Sequence, residues 1–342
     1  MSVAVIIPLF NGAAWIGETL ASVLAQDLRP NDIVVVDDAS TDGSPDIVWR
    51  TAGIRVLTNP VKGSVAARNY GLAHTTAPFV AFLDQDDLWH AGHLQMLRRA
   101  LDRHSLVPAA AALAHKFWDT PPPLCAAPCT EQPLDVWAGY PFVSKVVGPS
   151  AVLLRRSALE AVGGWDEAYT GIADWHLWLK LGADRPFLQV TAHTVGKRQH
   201  TTSQGRRTRC DGLGFLDLRY RATTAALAYR RSLDLPGDDI AAWERRLEAL
   251  DGVRQLAGGV VEDDLSIITA AARHIEGALT HVDLDTLRSS FWALVSALLP
   301  LHDHPEHREK RPQLLRRLHA LWPPDAPRTR SALALVAEEP VG

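Results

Sequence analysis

Two short apolar runs, separated by an amphipathic stretch, constrain the fold of this chain more than any other feature. Val3–Ile7 and Ile33–Val36 are dominated by β-branched residues and contain no polar residue. Runs of this kind are typical of parallel strands that are buried on both faces. Between them, apolar residues recur at helical spacing from Ala14 to Gln26. A strand, a crossover helix and a second parallel strand form a right-handed unit, which brings both strand ends to one edge of a sheet.

The same alternation continues through the first hundred residues. A strand at Ile54–Leu57 and a helix at Ser64–His74 lead to the apolar run Phe79–Leu83. Ligands of open α/β sheets bind beyond the carboxyl ends of the strands, so the loops after the first, second and fourth strands should line one crevice. Strand and helix patterns alternate further, to about residue 205. The sequence therefore predicts an α/β fold with a mostly parallel sheet flanked by helices.

A change of pattern near Phe215 predicts a second region. Helical periodicity rich in Ala, Leu and Arg begins there and is broken at Pro236-Gly237, at Gly258-Gly259 and by later prolines. The chain has 342 residues, more than the roughly 250–300 at which single cores stop growing. We therefore expect one large α/β domain followed by four or five helices.

An irregular insertion is predicted at residues 119–147. It contains six prolines, Cys125 and Cys129. Its aromatic residues Trp137, Tyr140 and Phe142 look exposed. Long loops of this kind are usually either functional or disordered, and we expect one of these two outcomes here.

Charge and cysteine content exclude several classes of protein. Lys and Arg number 35 against 39 Asp and Glu, which gives a formal net charge of -4 and no basic field for nucleic acid. Three cysteines are too few for a disulfide framework. We find neither a signal peptide nor a run of about 18 apolar residues that would span a membrane. We expect a reduced, cytoplasmic chain that is soluble or only peripherally attached to membranes.

Three acids within four positions follow the strand Phe79–Leu83. Asp84, Asp86 and Asp87 carry like charges that repel one another, and a divalent cation among them would relieve the repulsion. Mg²⁺ and Mn²⁺ prefer such carboxylate oxygens and usually complete their shell with substrate phosphates. The alternative is an acidic turn in which Asp86 or Asp87 caps a helix that begins near His90. The chain has neither a Gly-x-Gly-x-x-Gly turn nor a phosphate-binding loop of the Walker type.

Several ordered segments resemble the signature of glycosyltransferase family 2 on a GT-A fold. They are Val5–Asn11, Val35–Asp42, Ala67–Leu72 and Phe82–Asp87, followed by Gly148–Ser150, Gly163–Glu167, Asp174 and Lys197–His200. The resemblance covers roughly residues 1–205. It implies a catalytic domain at 1–212, with a donor-binding half of about 1–105 and an acceptor half of about 106–212. A helical region at 213–326 and a frayed tail at 327–342 would follow.

The resemblance also implies roles for individual residues. Asp38 would bind the nucleobase of a nucleoside diphosphate sugar, with UDP the expected nucleotide, and Phe10 would stack nearby. Arg68 would face the diphosphate or the neighbouring carboxylates, and Asp84 would touch the ribose or the sugar. Asp86 would hold the Mn²⁺ or Mg²⁺ ion that bridges the two phosphates. The other residues expected to bind the donor are Pro8, Asn11 and Gln85.

Two further residues complete the implied site. Asp174 would be the general base that removes the proton of the acceptor. The residue before it is Ala173, where the family has Glu, so the contribution of that Glu is missing. His200 would reach the metal or the diphosphate. Alternatively, Asp174 caps its helix and His200 is a structural hydrogen-bond partner.

The residue types by themselves leave further alternatives open. Phe10 could pack in the core, and Asp38 could cap a turn through Ser40 or Thr41. The tryptophans of the second half could be core residues or the wall of an acceptor pocket. These are Trp165, Trp175 and Trp178.

Three functions are compared on this basis. The first is a metal-dependent inverting glycosyltransferase that acts on a soluble acceptor such as a natural product, peptide or saccharide. The C-terminal helices would then shape the acceptor pocket or form a homo-oligomer. The second is a nucleotidyltransferase, which normally needs a basic Gly-rich first loop, whereas residues 8–20 contain no Lys or Arg. The third is a nucleotide-sugar-binding protein without activity, for which Ala173 is the only support.

Overall fold

The computed structural model forms two units. It describes residues 2–121, 123–125, 129–140, 144–202, 212–262 and 270–271. The first unit comprises the described residues up to Ala138 together with Ser144–Thr201. The second comprises the described residues of Gly139–Val143 and those from Thr202 onward.

A mixed sheet is the centre of the first unit. Among the described residues it has nine strands: β1 (Val3–Leu9), β2 (Asp32–Asp37), β3 (Arg55–Thr58), β4 (Phe79–Phe82), β5 (Leu88–Trp89), β6 (Ala109–Phe117), β7 (Glu131–Leu134), β8 (Val152–Arg155) and β9 (Phe187–Arg198). Their order is β3-β2-β1-β4-β8-β6-β9-β5, and β7 also pairs with β9.

The sheet changes character at β4. Strands β1 to β4 pair in parallel, and β1 and β4 are buried along their whole length, as their apolar runs predict. Beyond them, β8 is antiparallel to both β4 and β6, whereas β6 and β9 are parallel. Strands β5 and β7 are antiparallel to β9. The predicted α/β fold class is confirmed, and the antiparallel pairings are confined to the second half of the sheet.

Six helices flank the strands within the described part of this unit. They are α1 (Ile16–Leu24), α2 (Ser44–Trp49), α3 (Ser64–Ala73), α4 (His93–Arg103), α5 (Arg156–Ala161) and α6 (Ala173–Leu181). Helix α1 buries Ile16, Leu20 and Val23, which are three of its regularly spaced apolar residues. The helix expected after the acids, at His93–Arg103, is confirmed, and the two-residue strand β5 precedes it.

The insertion at 119–147 is partly ordered and buries two of its aromatic residues. It contains β7 and a 3-10 turn at Val136–Gly139. The prediction that Trp137 and Tyr140 are exposed is wrong, since both are fully buried. The Trp137 indole donates to the Leu179 carbonyl over 2.9 Å, which satisfies its one polar group. Phe142 lies outside the described residues.

Two long helices dominate the described part of the second unit, α7 (Gly212–Ser232) and α8 (Ile240–Glu262). The predicted break at Pro236-Gly237 separates them. The predicted break at Gly258-Gly259 is wrong, because α8 continues through it. Glycine inside a helix costs only about 1 kcal/mol relative to alanine, which neighbouring turns can offset. The remaining predicted helices and the tail lie outside the described residues.

The second unit has a small core of its own. Leu216, Ala226 and Leu250 are buried, and the Tyr140 hydroxyl donates to the Thr223 carbonyl over 3.3 Å. Over the residues that the structure describes, neither unit has a helix that is both long and apolar enough to cross a membrane.

Candidate active site

The predicted site residues meet at one edge of the sheet. Strands β1, β2, β4, β6 and β9 all run in the same direction. Strand β8, which lies between β4 and β6, is antiparallel to both, so β4 and β6 are parallel to each other. The carboxyl ends of these strands are followed by Phe10 and Asn11 after β1, Asp38 after β2, Asp84–Asp87 after β4 and His200 after β9. Residues Asp84–Asp87 are called the acid loop below.

The Asp84 carboxylate is shared between two cations. Its Oδ1 lies 2.6 Å from the Arg68 guanidinium and its Oδ2 lies 3.6 Å from the Lys197 ammonium. Its backbone N–H donates to the Ser150 hydroxyl over 3.1 Å. Burial alone would raise the pKa of Asp84, but the charges and hydrogen bonds of Arg68 and Lys197 hold it below the ordinary value of 3.8. Asp84 is therefore ionised at neutral pH.

The Arg68 guanidinium packs on Trp165, which follows two glycines. The guanidinium lies 5.0 Å from the centre of the Trp165 ring. Asn69 fixes that tryptophan, because its side-chain oxygen accepts from the Trp165 N–H over 3.1 Å and its amide donates to the Trp165 carbonyl over 2.9 Å. Gly163 and Gly164 precede the tryptophan with φ angles of 83° and 72°, which favour glycine.

Asp86 and His200 form the candidate metal site. Asp86 Oδ2 and His200 Nε2 lie 2.6 Å apart, and the His200 ring packs 4.2 Å from the Trp15 ring. The described residues contain no group of three or more His, Cys, Asp or Glu side chains that could hold a metal ion. A carboxylate and an imidazole that converge are a donor set for an ion such as Mn²⁺, which takes its other ligands from substrate phosphates and water.

Asp87 anchors the acid loop to β9. It is only 1% exposed. One oxygen accepts from the Ser150 hydroxyl over 2.7 Å, and the other accepts from the Arg198 N–H over 3.0 Å. Burial raises the pKa of Asp87 to about 7, with a further rise from the acid-loop carboxylates and an opposing effect of Lys197. The expectation that Asp87 caps the next helix is wrong, because both of its oxygens face into the sheet edge.

Asp38 binds the loop after β3 by accepting hydrogen bonds from uncharged donors. Its Oδ1 accepts from the Asn59 amide over 2.7 Å and from the Gly63 N–H over 2.9 Å, and its Oδ2 accepts from the same N–H over 3.0 Å. Asp38 is 6% exposed. It does not cap the turn at residues 40–41, since Ser40 N–H donates to Asp37 and Thr41 N–H donates to Asn11.

Phe10 presents its ring to solvent, so core packing is wrong for this residue. It is 40% exposed, and the Lys62 ammonium lies 4.9 Å from its ring centre. The Gln85 side chain pairs with the Phe10 backbone in both directions, over 2.7 and 3.0 Å. Asn11 has a φ of 48° and ties the β1 loop to the turn at residues 40–41. Pro8 lies buried within β1, opposite Val36.

Asp174 is the second residue of α6 and not its N-cap, which is Ile172. Its carboxylate accepts from the adjacent Trp175 N–H over 2.8 Å, and no side chain caps the start of α6, so the cap alternative is wrong. Burial raises the pKa of Asp174, whereas the Trp175 N–H and the charges of Lys197 and Arg68 oppose the rise. A carboxylate with a raised pKa is the kind of group that accepts a proton effectively.

The three tryptophans of the second half are core residues. Trp165, Trp175 and Trp178 are 3%, 6% and 2% exposed. Trp165 packs edge-to-face against Phe82, with ring centres 5.1 Å apart. This burial excludes them as the wall of an open acceptor pocket, although Trp165 also supports Arg68.

Three residues at this site had no role assigned from the sequence. They are Lys197, Ser150 and Asn59, which contact Asp84, Asp87 and Asp38 respectively. Lys197 and Ser150 lie in the segments Lys197–His200 and Gly148–Ser150 that carry the family resemblance, which was the signal available for them. Nothing local marks Asn59, because its partner Asp38 lies 21 residues away.

Comparison with known proteins identifies the first third of the chain. Residues 4–123 match the family model described as Glycosyl transferase family 2. The UDP-Glc:alpha-D-GlcNAc-diphosphoundecaprenol beta-1,3-glucosyltransferase WfgD of Escherichia coli is 37% identical over 97 residues, which are 28% of this chain and 38% of that protein. The chain spans between 18% and 38% of the length of four such curated relatives.

Two solved structures resemble the whole fold. TarS 1–349 of S. aureus, in complex with UDP-GlcNAc, has a TM-score of 0.60 at 16% identity, with 92% of each chain covered. The mannosyltransferase PcManGT from Pyrobaculum calidifontis, in complex with GDP-Man and Mn²⁺, has a TM-score of 0.50 at 20% identity, with 98% of this chain and 85% of that chain covered. At these identities the likeness concerns the fold, and it confirms the expected sheet and flanking helices.

Proposed function

We propose that this chain, which belongs to glycosyl transferase family 2 through residues 4–123, transfers a sugar from a UDP-sugar to an acceptor hydroxyl with inversion at the anomeric carbon. One observation carries the proposal. Phe10, Asp38, the acid loop and His200 follow strands that end at one sheet edge, and the charges of Lys197, Arg68 and Asp84 act on Asp174, so a nucleobase, a diphosphate and an acceptor hydroxyl would bind side by side there. We also propose that the second unit shapes the acceptor pocket or forms a homo-oligomer.

The hydrogen-bonding state of Asp38 supports uracil as the nucleobase. Asp38 Oδ1 already accepts two hydrogen bonds and Oδ2 accepts one. Each carboxylate oxygen has about two lone-pair sites, so the described residues leave one acceptor position on Oδ2 open. Uracil has a single ring N–H to donate, whereas guanine offers two adjacent donors on the same edge. The exposed Phe10 ring supplies a face on which the nucleobase stacks.

Asp86 and His200 are the residues that would hold Mn²⁺ or Mg²⁺. The ion would neutralise the charge that develops on the leaving diphosphate. The Arg68 guanidinium, beside Asp84 at the same edge, adds a fixed positive charge for the diphosphate. The solved structure of PcManGT, which has a similar fold, is a complex with GDP-Man and Mn²⁺.

Asp174 takes the proton of the acceptor hydroxyl as the hydroxyl oxygen attacks the anomeric carbon. The new glycosidic bond forms as the bond to the diphosphate oxygen breaks, and UDP leaves. A single displacement of this kind inverts the configuration at the anomeric carbon. We extend the proposal to a cytoplasmic enzyme with a soluble acceptor such as a natural product, peptide or saccharide.

Measurement of UDP release from a panel of UDP-sugars, with Mn²⁺ or Mg²⁺ present, tests the proposal. We expect release by the full chain with at least one sugar, and a loss of about 100-fold or more in Asp86→Ala. Asp46→Asn is the matched control, because Asp46 is an exposed acid on α2. Release of pyrophosphate from a nucleoside triphosphate and a sugar phosphate would instead identify a nucleotidyltransferase. Tight UDP-sugar binding without any release would identify a binding protein.

A further inference from the structure

Lys197 lies where the acid loop and the last residues of β9 face each other. Its ammonium lies 3.5 Å from Asp87 Oδ2 and 3.6 Å from Asp84 Oδ2. A Cβ atom at Gly148 would lie only 3.2 Å from that ammonium, so the lysine is also packed against the segment that leads into β8. Its side chain is 25% exposed. Lys197 is therefore built into the site and is not a surface lysine with a chance neighbour.

The two oxygens of Asp84 show what Lys197 does for the acid loop. Arg68 holds Oδ1 and Lys197 holds Oδ2. Removing the ammonium would leave Asp84 bound on one side only, and the carboxylate would rotate toward Arg68. A change of this size at a substrate-contacting group is costly, because a misplacement of about 1 Å can reduce a rate about 100-fold.

The charge around Lys197 links the acid loop to α6. Burial disfavours the charged amine, but the carboxylates of Asp87, Asp84, Asp86 and Asp174 outweigh it and raise the pKa of Lys197 above its ordinary value. The lysine is therefore an ammonium throughout the working pH range. In return it opposes the rise that burial causes in the pKa of Asp174.

We propose that Lys197 is a positioning residue for sugar transfer: it holds Asp84 toward the nucleotide-sugar and supplies the positive charge that couples the acid loop to Asp174. This inference rests on the proposed function. Lys197 would not touch the reacting atoms and would act through the carboxylates of Asp84 and Asp174. The groups that act on the Asp174 carboxylate include the Trp175 N–H, Lys197, Arg68 and Asp84. Of these, Lys197 contacts the acid loop from β9 and reaches both Asp84 and Asp87.

The test compares Lys197→Met, which removes the charge at similar length, with Lys197→Arg, which keeps it. Turnover is measured as UDP released from a UDP-sugar with Mn²⁺ between pH 5 and 9, and affinity is measured calorimetrically with Mn²⁺ and UDP. For Lys197→Met we expect a loss of roughly 30-fold or more in kcat. We also expect the acidic limb of the kcat profile to move up by about one pH unit. Lys197→Arg should recover most of the rate and keep the limb of the wild type.

Lys116→Met is the matched control, because Lys116 is the exposed residue of β6 that pairs with Lys197 in the ladder. It should leave both the rate and the pH profile unchanged. Thermal unfolding of every variant confirms that the protein is folded. Equal losses in Lys197→Met and Lys197→Arg with an unmoved pH limb would show a merely structural lysine and overturn the proposal. Wild-type rate and profile in Lys197→Met would overturn it as well.

The affinity measurement separates this inference from the proposed function. A wild type that releases no UDP from any tested sugar contradicts the proposed function. In that case, a UDP affinity weakened about fivefold in Lys197→Met and not in Lys197→Arg still supports the hold on Asp84. Equal affinities in all three proteins reject it.

Discussion

Asp38, which follows β2 in the parallel half of the sheet (β1 to β4), and Asp174, which lies on α6 in the mixed half (β5 to β9 with α6), are two carboxylates with different surroundings. In the parallel half, Asp38 is held by an amide and a backbone N–H, which carry no net charge. In the mixed half, Asp174 is surrounded by the charges of Lys197, Arg68 and Asp84. Under the proposed function, nucleobase binding would depend on hydrogen bonds from uncharged donors, whereas turnover would depend on opposing charges that respond to pH.

The largest expected effect is on the charged side. Asp174→Asn removes the proposed general base, and a general base typically contributes about 10²–10⁴-fold to a rate. We expect kcat for sugar transfer to fall by about 1,000-fold, while calorimetry shows UDP affinity within about twofold of the wild type. If this variant keeps the wild-type rate, the general base is a different residue, and the contrast between Asp38 in nucleobase binding and Asp174 in turnover is wrong.

The second effect belongs to the neutral side. Asp38→Ala leaves the Asn59 amide and the Gly63 N–H without their acceptor, and it removes the acceptor proposed for uracil. An unsatisfied buried group costs about 1–3 kcal/mol, so the UDP dissociation constant should rise about 30-fold. The dissociation constant of the wild type should change little with pH between 6 and 8. A strong pH dependence of UDP affinity would contradict a nucleobase site in which Asp38 is held by uncharged donors.

The smallest effect concerns stability and involves His93 of α4. This residue is fully buried, with its Nδ1 2.8 Å from the Thr194 hydroxyl of β9. Burial, with a smaller effect of His90, lowers the pKa of His93 from 6.5 to about 3. Below pH 6.5 the unfolded chain takes up a proton that the folded chain refuses, so stability falls as the pH falls toward 3. The expected slope is about 1.4 kcal/mol per pH unit.

Urea unfolding at pH 6 and pH 5 measures this slope. His93→Gln should lose about 1 kcal/mol of the difference between the two pH values, whereas His74→Gln, at an exposed position, should not. An unchanged slope in His93→Gln would mean that other groups cause the acid sensitivity of the mixed half.

The two halves also differ in how far sequence alone predicts them. Apolar runs of the parallel half, such as Val3–Ile7, locate its strands to within a few residues, because burial on both faces gives a strong local signal. Since parallel strands end at one edge, the same reasoning places Asp38 and the acid loop together. In the mixed half, β5 has only two residues, and a run of that length gives no periodicity that a sequence could reveal.

Contacts between residues distant in sequence account for the predictions that were wrong. Asp87 reaches the Arg198 N–H across 111 residues of sequence, so a local reading could only propose a helix cap. Trp137 looked exposed because it lies among prolines, but the carbonyl that satisfies its indole belongs to Leu179. Both errors arise where a polar group finds its partner on another element.

The Ser150 hydroxyl accepts from the Asp84 N–H and donates to the Asp87 carboxylate, and so belongs as much to the acid loop as the acids do. This has a consequence for protein engineering. A chimera that joins residues 1–105 of one relative to the remainder of another would separate the acid loop from Ser150 and Arg198. The donor-binding half is therefore not a portable module, and a crossover point chosen for such a chimera must keep these residues matched.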